Sequence, residues 1–420
     1  MHRGTAALVS LWALAAGCGA RSALVGEDPR PDAAVDALDT APPPRDALPD
    51  GVGETPPMET APPAATVVVT ELSAAGRTVC ALDALGAVWC WGLNDHGQCG
   101  ASPSVAVFDR PRRVEAIPLA RRVAVGGSHA CAIARDASVW CWGDDTHGQC
   151  GDRGAAASTP PVRATELGPA MELSLGAGQS WALTTEGRAR SVGLNRDCQL
   201  CNSLRGPVHR EGALVEGLLA TALHGGNRLQ CASLAALDEV RCCGTIGSAS
   251  ATWCVPINPF GTLPRAMPWR VYAGGDFACM LSRGQELYCN GVNTLGQLGS
   301  PGGVEYGWRR VSVPGTVLLA AVGEAHGCAL LTAGRGLFCW GRNDHGQLGR
   351  RENPDFTIPG AVLSNVRAFA PQQLALTAVS SCALQPDGGV YCWGGNAEGA
   401  LGDGTRRDTR EPVRALFPGP

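Results

Sequence analysis

The sequence predicts an all-β chain, a seven-bladed β-propeller of four-stranded antiparallel blades, carried behind a signal peptide and a disordered tether. A Cys-Trp-Gly string returns along the chain at intervals of about 50 residues, which is propeller-unit spacing. Between copies the apolar residues alternate with period two and show no helical period, as short strands do. The chain also holds 19 cysteines in 420 residues, too many for a reducing cytosol unless they bind metal or do redox chemistry.

The N-terminus agrees with export. Met1, His2 and Arg3 make a short positive start, and residues 5–16 form an apolar run of signal-peptide length, too short to span a bilayer. Ala15-Ala16-Gly17-Cys18 then resembles a bacterial lipoprotein cleavage box, so residues 1–17 read as the signal and Cys18 as the acylated residue. That box usually has leucine three places before the cysteine; here Ala15 stands there and Leu14 comes one place early. Cleavage by an ordinary signal peptidase is the alternative. Residues 18–66 are rich in Pro, Ala and Asp, with Pro42-Pro43-Pro44 and Pro-Pro steps at Pro56 and Pro62. So few large apolar residues cannot offset the entropy of ordering, and the segment reads as a tether.

The repeat occupies residues 67–420. Cys90-Trp91-Gly92 with Asn94-Asp95-His96-Gly97-Gln98 returns as Cys141-Trp142-Gly143 with His147-Gly148-Gln149, and as Cys339-Trp340-Gly341 with Asn343-Asp344-His345-Gly346-Gln347. An anchoring glycine marks seven units: Gly92, Gly143, Gly193, Gly244, Gly291, Gly341 and Gly394. The units run approximately 67–120, 121–170, 171–220, 221–268, 269–317, 318–366 and 367–420. In the second, the glycine-led step Gly126-Gly127-Ser128-His129 precedes Cys131-Ala132-Ile133, a turn, and Ser138-Val139-Trp140-Cys141, the pattern of a hairpin. Pro161-Val162-Arg163 and the run from Met171 to Leu175 add two strands, giving four per unit. The first unit lacks a preceding Pro-x-Val strand and the last ends on Pro412-Val413-Arg414, so the two termini are expected to complete one blade between them.

The Cys-Trp-Gly-x-Asn-x-x-Gly-Gln-Leu-Gly pattern, the Gly-x-x-His step and the period resemble the regulator of chromosome condensation repeat family, from about Val67 to the end of the chain. The resemblance implies a seven-bladed propeller. It also implies a range of roles, from guanine-nucleotide exchange on a small GTPase to inhibition of other enzymes.

Six cysteine couples sit within the hairpins: Cys80 with Cys90, Cys131 with Cys141, Cys231 with Cys242, Cys279 with Cys289, Cys328 with Cys339, and Cys382 with Cys392. Folding each hairpin sets its two cysteines opposite one another, within disulfide range. The third unit has Trp181 and Ser191 at these positions, so both partners are lost together, as bonded pairs require. Each staple closes about ten residues and contributes roughly 2–3 kcal/mol. Cys99, Cys150, Cys198, Cys201, Cys243 and Cys254 are left unassigned. Without Cys18 the cysteines number 18, which would permit complete pairing. Cys198-x-x-Cys201 lacks a second ligand pair in register, so neither metal nor cofactor is expected.

Catalysis finds little support. Five histidines, His96, His147, His345, His129 and His326, recur at fixed repeat positions, where structural roles are expected. His209 and His224 have no nucleophile or carboxylate pair at a suggestive spacing. There is no lysine, hence no phosphate loop ending in Gly-Lys. A net charge of -4 and pI near 6.1 give no attraction to phosphate backbones, so nucleic acid is not an expected partner. The expected function is that of an extracytoplasmic, membrane-tethered scaffold binding a surface protein or glycan, with a secreted enzyme or inhibitor as the alternative and an exchange factor ranked last. The fourth unit lacks the Asn-x-x-Gly-Gln turn and carries Trp253, Pro256, Pro259 and Phe260 instead, a candidate binding loop.

Overall fold

The computed structural model describes residues 67–202, 206–234, 239–246, 252–257, 268–300, 305–332, 336–350, 356–362 and 371–418, and every regular element among them is a strand. The expected signal peptide, Cys18 and the tether lie outside the described residues. In the first blade the strands Val69–Ala75, Thr78–Asp83, Val88–Leu93 and Val107–Arg113 pair antiparallel in sequence order. Sheets of the same order occupy 120–163, 268–310, 317–361 and 373–414. Between 170 and 257 seven strands form one sheet, because Val208–Gly225 serves twice. Its first part pairs with Arg188–Leu194 to close the third four-stranded unit, and its last part pairs with Leu229–Leu234 to open the fourth. Seven four-stranded units thus follow the seven repeats.

The second strand of a blade is covered on both faces by neighbouring blades. Thr78–Asp83, His129–Ala134, Gln179–Thr184, Phe277–Ser282 and His326–Leu331 are buried at every residue, which explains their near-continuous apolar runs. The third strand ends at a bulge where the anchoring glycine takes positive φ, from 95° at Gly341 to 126° at Gly291. A Cβ at Gly92 would also lie 2.4 Å from the Arg77 carbonyl oxygen. Only glycine meets both conditions, so it survives in every copy.

Three sets of contacts join successive blades. At four seams the incoming inner strand donates an N–H to the preceding hairpin turn: Ala120 to Gly86, Ala170 to Ala137, Ala220 to Gly187 and Val317 to Gln285. At the other end of the channel the glycine-led steps pair across blades, Gly127 N–H to Gly176 O at 3.0 Å and Gly275 N–H to Glu324 O at 3.1 Å. The tryptophan of Cys-Trp-Gly donates its indole N–H to the turn of the blade before, as Trp142 does to Gln98 O at 2.9 Å and Trp340 to Gln297 O at 3.0 Å.

The expected shared terminal blade is not formed. Thr409–Arg414 pairs with Val390–Gly394 of its own repeat, and Val69–Ala75 pairs with Thr78–Asp83. Pairing the outer strand with its own hairpin needs only a short loop, the least costly closure. Ring closure instead repeats the three ordinary seams: Val69 N–H to Gly388 O, Ala378 N–H to Gly76 O, and Trp91 Nε1–H to Ala400 O. Val69, Leu72, Val79, Leu384, Val390 and Leu401 pack between the last and first blades, and Phe417 stands edge-on to Trp89 and Trp91.

Candidate functional site

The inner strands surround a channel of about 550 Å³. At one level, set by pairing with an aliphatic residue of the second strand, they present Glu71 opposite Leu82, Arg122 opposite Ile133, Glu172 opposite Leu183, Arg270 opposite Leu281 and Gln373 opposite Leu384. Acid and base alternate over the first three blades, with Arg122 Nη1 3.6 Å from Glu71 Oε1, while the fourth and sixth blades place Ala222 and Leu319 at this level. Burial raises the Glu71 carboxyl to about 7, against the pull of Arg122 and of the Val123 N–H. Burial also raises Glu172 and, at the far mouth, Glu324.

Much of this polar wall is engaged in holding blades together. Glu172 Oε2 accepts the Leu223 N–H at 3.0 Å and Gln373 Oε1 accepts the Leu72 N–H at 2.9 Å, each reaching the next inner strand. His224, one level further along, lies 2.8 Å from Ser233 Oγ through Nε2, and burial, with Arg270 nearby, lowers its pKa to about 4. A neutral imidazole hydrogen-bonded to a hydroxyl, beside bonded carboxylates, makes a positioned polar wall.

The repeat histidines pack between blades. His129 Nε2 lies 2.8 Å from Ser180 Oγ, and that hydroxyl donates to Gln149 O at 2.7 Å. The hydroxyl proton being committed, the ring donates through Nε2–H. His326 makes the same contact with Ser381, whose hydroxyl donates to Gln347 O. The remaining Nδ1 of each ring is sealed from solvent without a partner. Burial lowers the two pKa values to about 4 and about 3. These groups hold three pieces of chain together and have no access to a substrate.

All six hairpin couples lie directly opposite in register and are bonded, with Cα atoms 4.0 to 4.1 Å apart. Of the unassigned cysteines, Cys201 is bonded to Cys243, joining the turn of the third unit to a strand of the fourth, and Cys198 is also disulfide-bonded. Complete pairing does not occur. Cys99 and Cys150 are buried free thiols at the place where other repeats put Leu298, Leu348 and Leu401, and burial pushes both pKa values up. In the candidate loop, Trp253 and Pro256 fall on the strand Thr252–Ile257, where Trp253 pairs with Gly244; their side chains, and Pro259 and Phe260, lie outside the described residues. Among the described residues no group of three or more His, Cys, Asp or Glu is placed to hold a metal ion. Sequence reasoning missed the channel ring, although Glu71, Arg122, Glu172 and Arg270 stand equally far upstream of their anchoring glycines.

Comparison with known proteins matches two profiles of the regulator of chromosome condensation repeat, at residues 69–98, 120–149 and 319–347 and at 86–133 and 387–419. Among curated relatives, the regulator of chromosome condensation of Mus musculus is 24% identical over 353 residues, covering 82% of this chain and 76% of that one. The E3 ubiquitin-protein ligase HERC2 of Homo sapiens is 24% identical over 356 residues, 82% of this chain but only 6% of the ligase. Among solved structures, human WBSCR16 superposes with a TM-score of 0.70 at 19% identity, covering 79% of this chain and 95% of that one.

Proposed function

This chain belongs to the regulator of chromosome condensation repeat family of propellers, and on that premise we propose that it is an extracytoplasmic, membrane-tethered scaffold that binds a protein or glycan at the cell surface and catalyses no reaction. The observation that carries the proposal is the set of six hairpin disulfides, joined by the cross-blade bridge between Cys201 and Cys243. Such bonds persist in oxidising compartments and are rare where glutathione keeps thiols reduced. The apolar run before Cys18 supplies the export signal and the anchor. Exchange on a cytosolic GTPase fits neither feature. A non-catalytic role is supported by the engagement of His129, His326, Glu172 and Gln373 between blades. Binding then falls to the segments that vary between repeats, first among them Trp253 to Phe260, whose first part is the outer strand Thr252–Ile257, because a rigid ring tolerates their variation.

Cell fractionation of the chain and of its Cys18→Ser variant tests this. After a high-salt wash the parent is expected to stay with membranes and the variant to be in the soluble extracytoplasmic fraction, both oxidised. Cytoplasmic retention of the parent with reduced hairpin cysteines would refute the proposal.

A further inference from the structure

We propose that the propeller lies against an anionic lipid surface by the face that carries its hairpin turns. This rests on the tethered reading above and adds an orientation to it. The face is the one on which inner strands begin beside hairpin turns, with Ala84 N–H on Val68 O at 2.9 Å and Ala120 N–H on Gly86 O at 2.7 Å. Large aliphatic side chains stand there in solvent. Leu85 is 75% exposed and Leu219 61%, and Val68, Leu119, Met171 and Leu318 lie between 42% and 49%. Single exposed aliphatics are ordinary, but here six of the ten exposed large hydrophobics among the described residues encircle one mouth.

The charges of this face suit anionic headgroups. Four outer strands carry an exposed arginine here at one register: Arg113 opposite Trp89, Arg163 opposite Trp140, Arg310 opposite Tyr288 and Arg414 opposite Tyr391. Arg135 stands among the leucines and donates to Leu85 O at 2.8 Å. Of the carboxylates on the face, Asp136 and Asp387 accept N–H groups of their own turns, Glu286 pairs with Arg310 at 3.1 Å so that these two charges offset each other, and Glu186 stands exposed in the third hairpin turn. The opposite face presents Asp95 and Asp144 in the repeat turns, while Asp197 and Asp344 there pair with Arg228 and Arg342. The described chain starts at Val67, next to the exposed Val68 of this rim. Aliphatic contact together with arginine attraction is the combination that holds peripheral proteins at a membrane interface.

Sedimentation of the full chain bearing Cys18→Ser, which cannot be acylated, separates docking from anchoring. With vesicles of phosphatidylcholine and phosphatidylglycerol the protein is expected in the pellet; with phosphatidylcholine alone, or in high salt, it is expected in the supernatant. Leu85→Ser with Leu219→Ser, both highly exposed, is expected to weaken binding at least about tenfold with no change in melting temperature. Arg113→Glu with Arg163→Glu is expected to weaken it by a similar factor. Failure of the parent to bind the anionic vesicles, or equal binding by parent and variants, would overturn docking. The intact mass of the unsubstituted chain tests the tether separately: an acylated Cys18 in a protein whose serine variant ignores vesicles leaves the tether standing and removes the docking face, whereas vesicle binding by a chain without acylation does the reverse.

Discussion

His326 is fully buried, its Nε2 within 3.0 Å of Ser381 Oγ, and it is neutral in the fold because burial lowers its pKa to about 3. In the unfolded chain the same ring titrates near 6.5. Between these values the unfolded state binds the extra proton, so stability falls as pH drops below about 6.5 and the loss is complete only near the folded value. At pH 5 the contribution is about 2 kcal/mol. Gln179 occupies the matching position in the third unit, opposite its anchoring Gly193 as His326 is opposite Gly341, so His326→Gln should keep the fold and lose this acid sensitivity. Denaturant melts at pH 7 and pH 5 are expected to show a smaller difference for the variant than for the parent. Glu71 acts with the opposite sign. Its carboxyl is raised to about 7, so the folded state keeps a proton that the unfolded chain has lost above about 4.5, and stability declines as pH rises through that window. Glu71→Gln keeps an acceptor for the Val123 N–H, as Gln373 does for Leu72, and is expected to stabilise the protein by on the order of 2 kcal/mol at pH 8 with less effect at pH 5. A parallel pH response in parent and variant would show that Glu71 is not desolvated.

At the level of the hairpin, local register decides what a sequence discloses. The six cysteine couples could be paired from spacing because a short turn fixes which residues face each other, and Cys80 does lie opposite Cys90. The bridge from Cys201 to Cys243 could not, since it depends on how two blades sit side by side. It encloses a sequence separation of 42, against 10 or 11 for the hairpins. Loop-closure entropy then gives about 4 kcal/mol for the long bridge and about 3 kcal/mol for a short one. Cys201→Ser with Cys243→Ser is therefore expected to cost more in denaturant melts than Cys382→Ser with Cys392→Ser; the reverse order would mean that the long bridge closes a loop already constrained by the shared strand Val208–Gly225. That strand was itself hidden, because its 18 residues carry no turn signal to separate the third unit from the fourth. The free thiols Cys99 and Cys150 were legible in retrospect: repeat alignment puts them where Leu348 and Leu401 fill the core, and Cys99→Leu is expected to change stability by less than about 1.5 kcal/mol.

For the whole molecule, blade number and blade order were legible because seven glycines and four strands per unit repeat along the chain, while the mode of closure was not. The terminal segments look complementary in sequence, yet each is satisfied within its own repeat, and what joins the last blade to the first is side-by-side packing. Removing residues 411–420 would still be damaging, through loss of four of the six residues of Thr409–Arg414, of Ala415 from the closing core and of Phe417 from Trp89 and Trp91. A substantially lower melting temperature is expected; unchanged cooperative melting would mean that the ring does not depend on this seam. The chemistry of the channel stayed hidden for a related reason, since one ring of charged and polar residues draws its members from separate repeats. Whether the propeller is oxidised and extracytoplasmic is decided by the intact mass of protein taken from its native cells, alkylated before and after reduction. At least seven disulfides are expected, with Cys99 and Cys150 alkylated only after unfolding. Hairpin cysteines that alkylate in the native protein without reductant would contradict it.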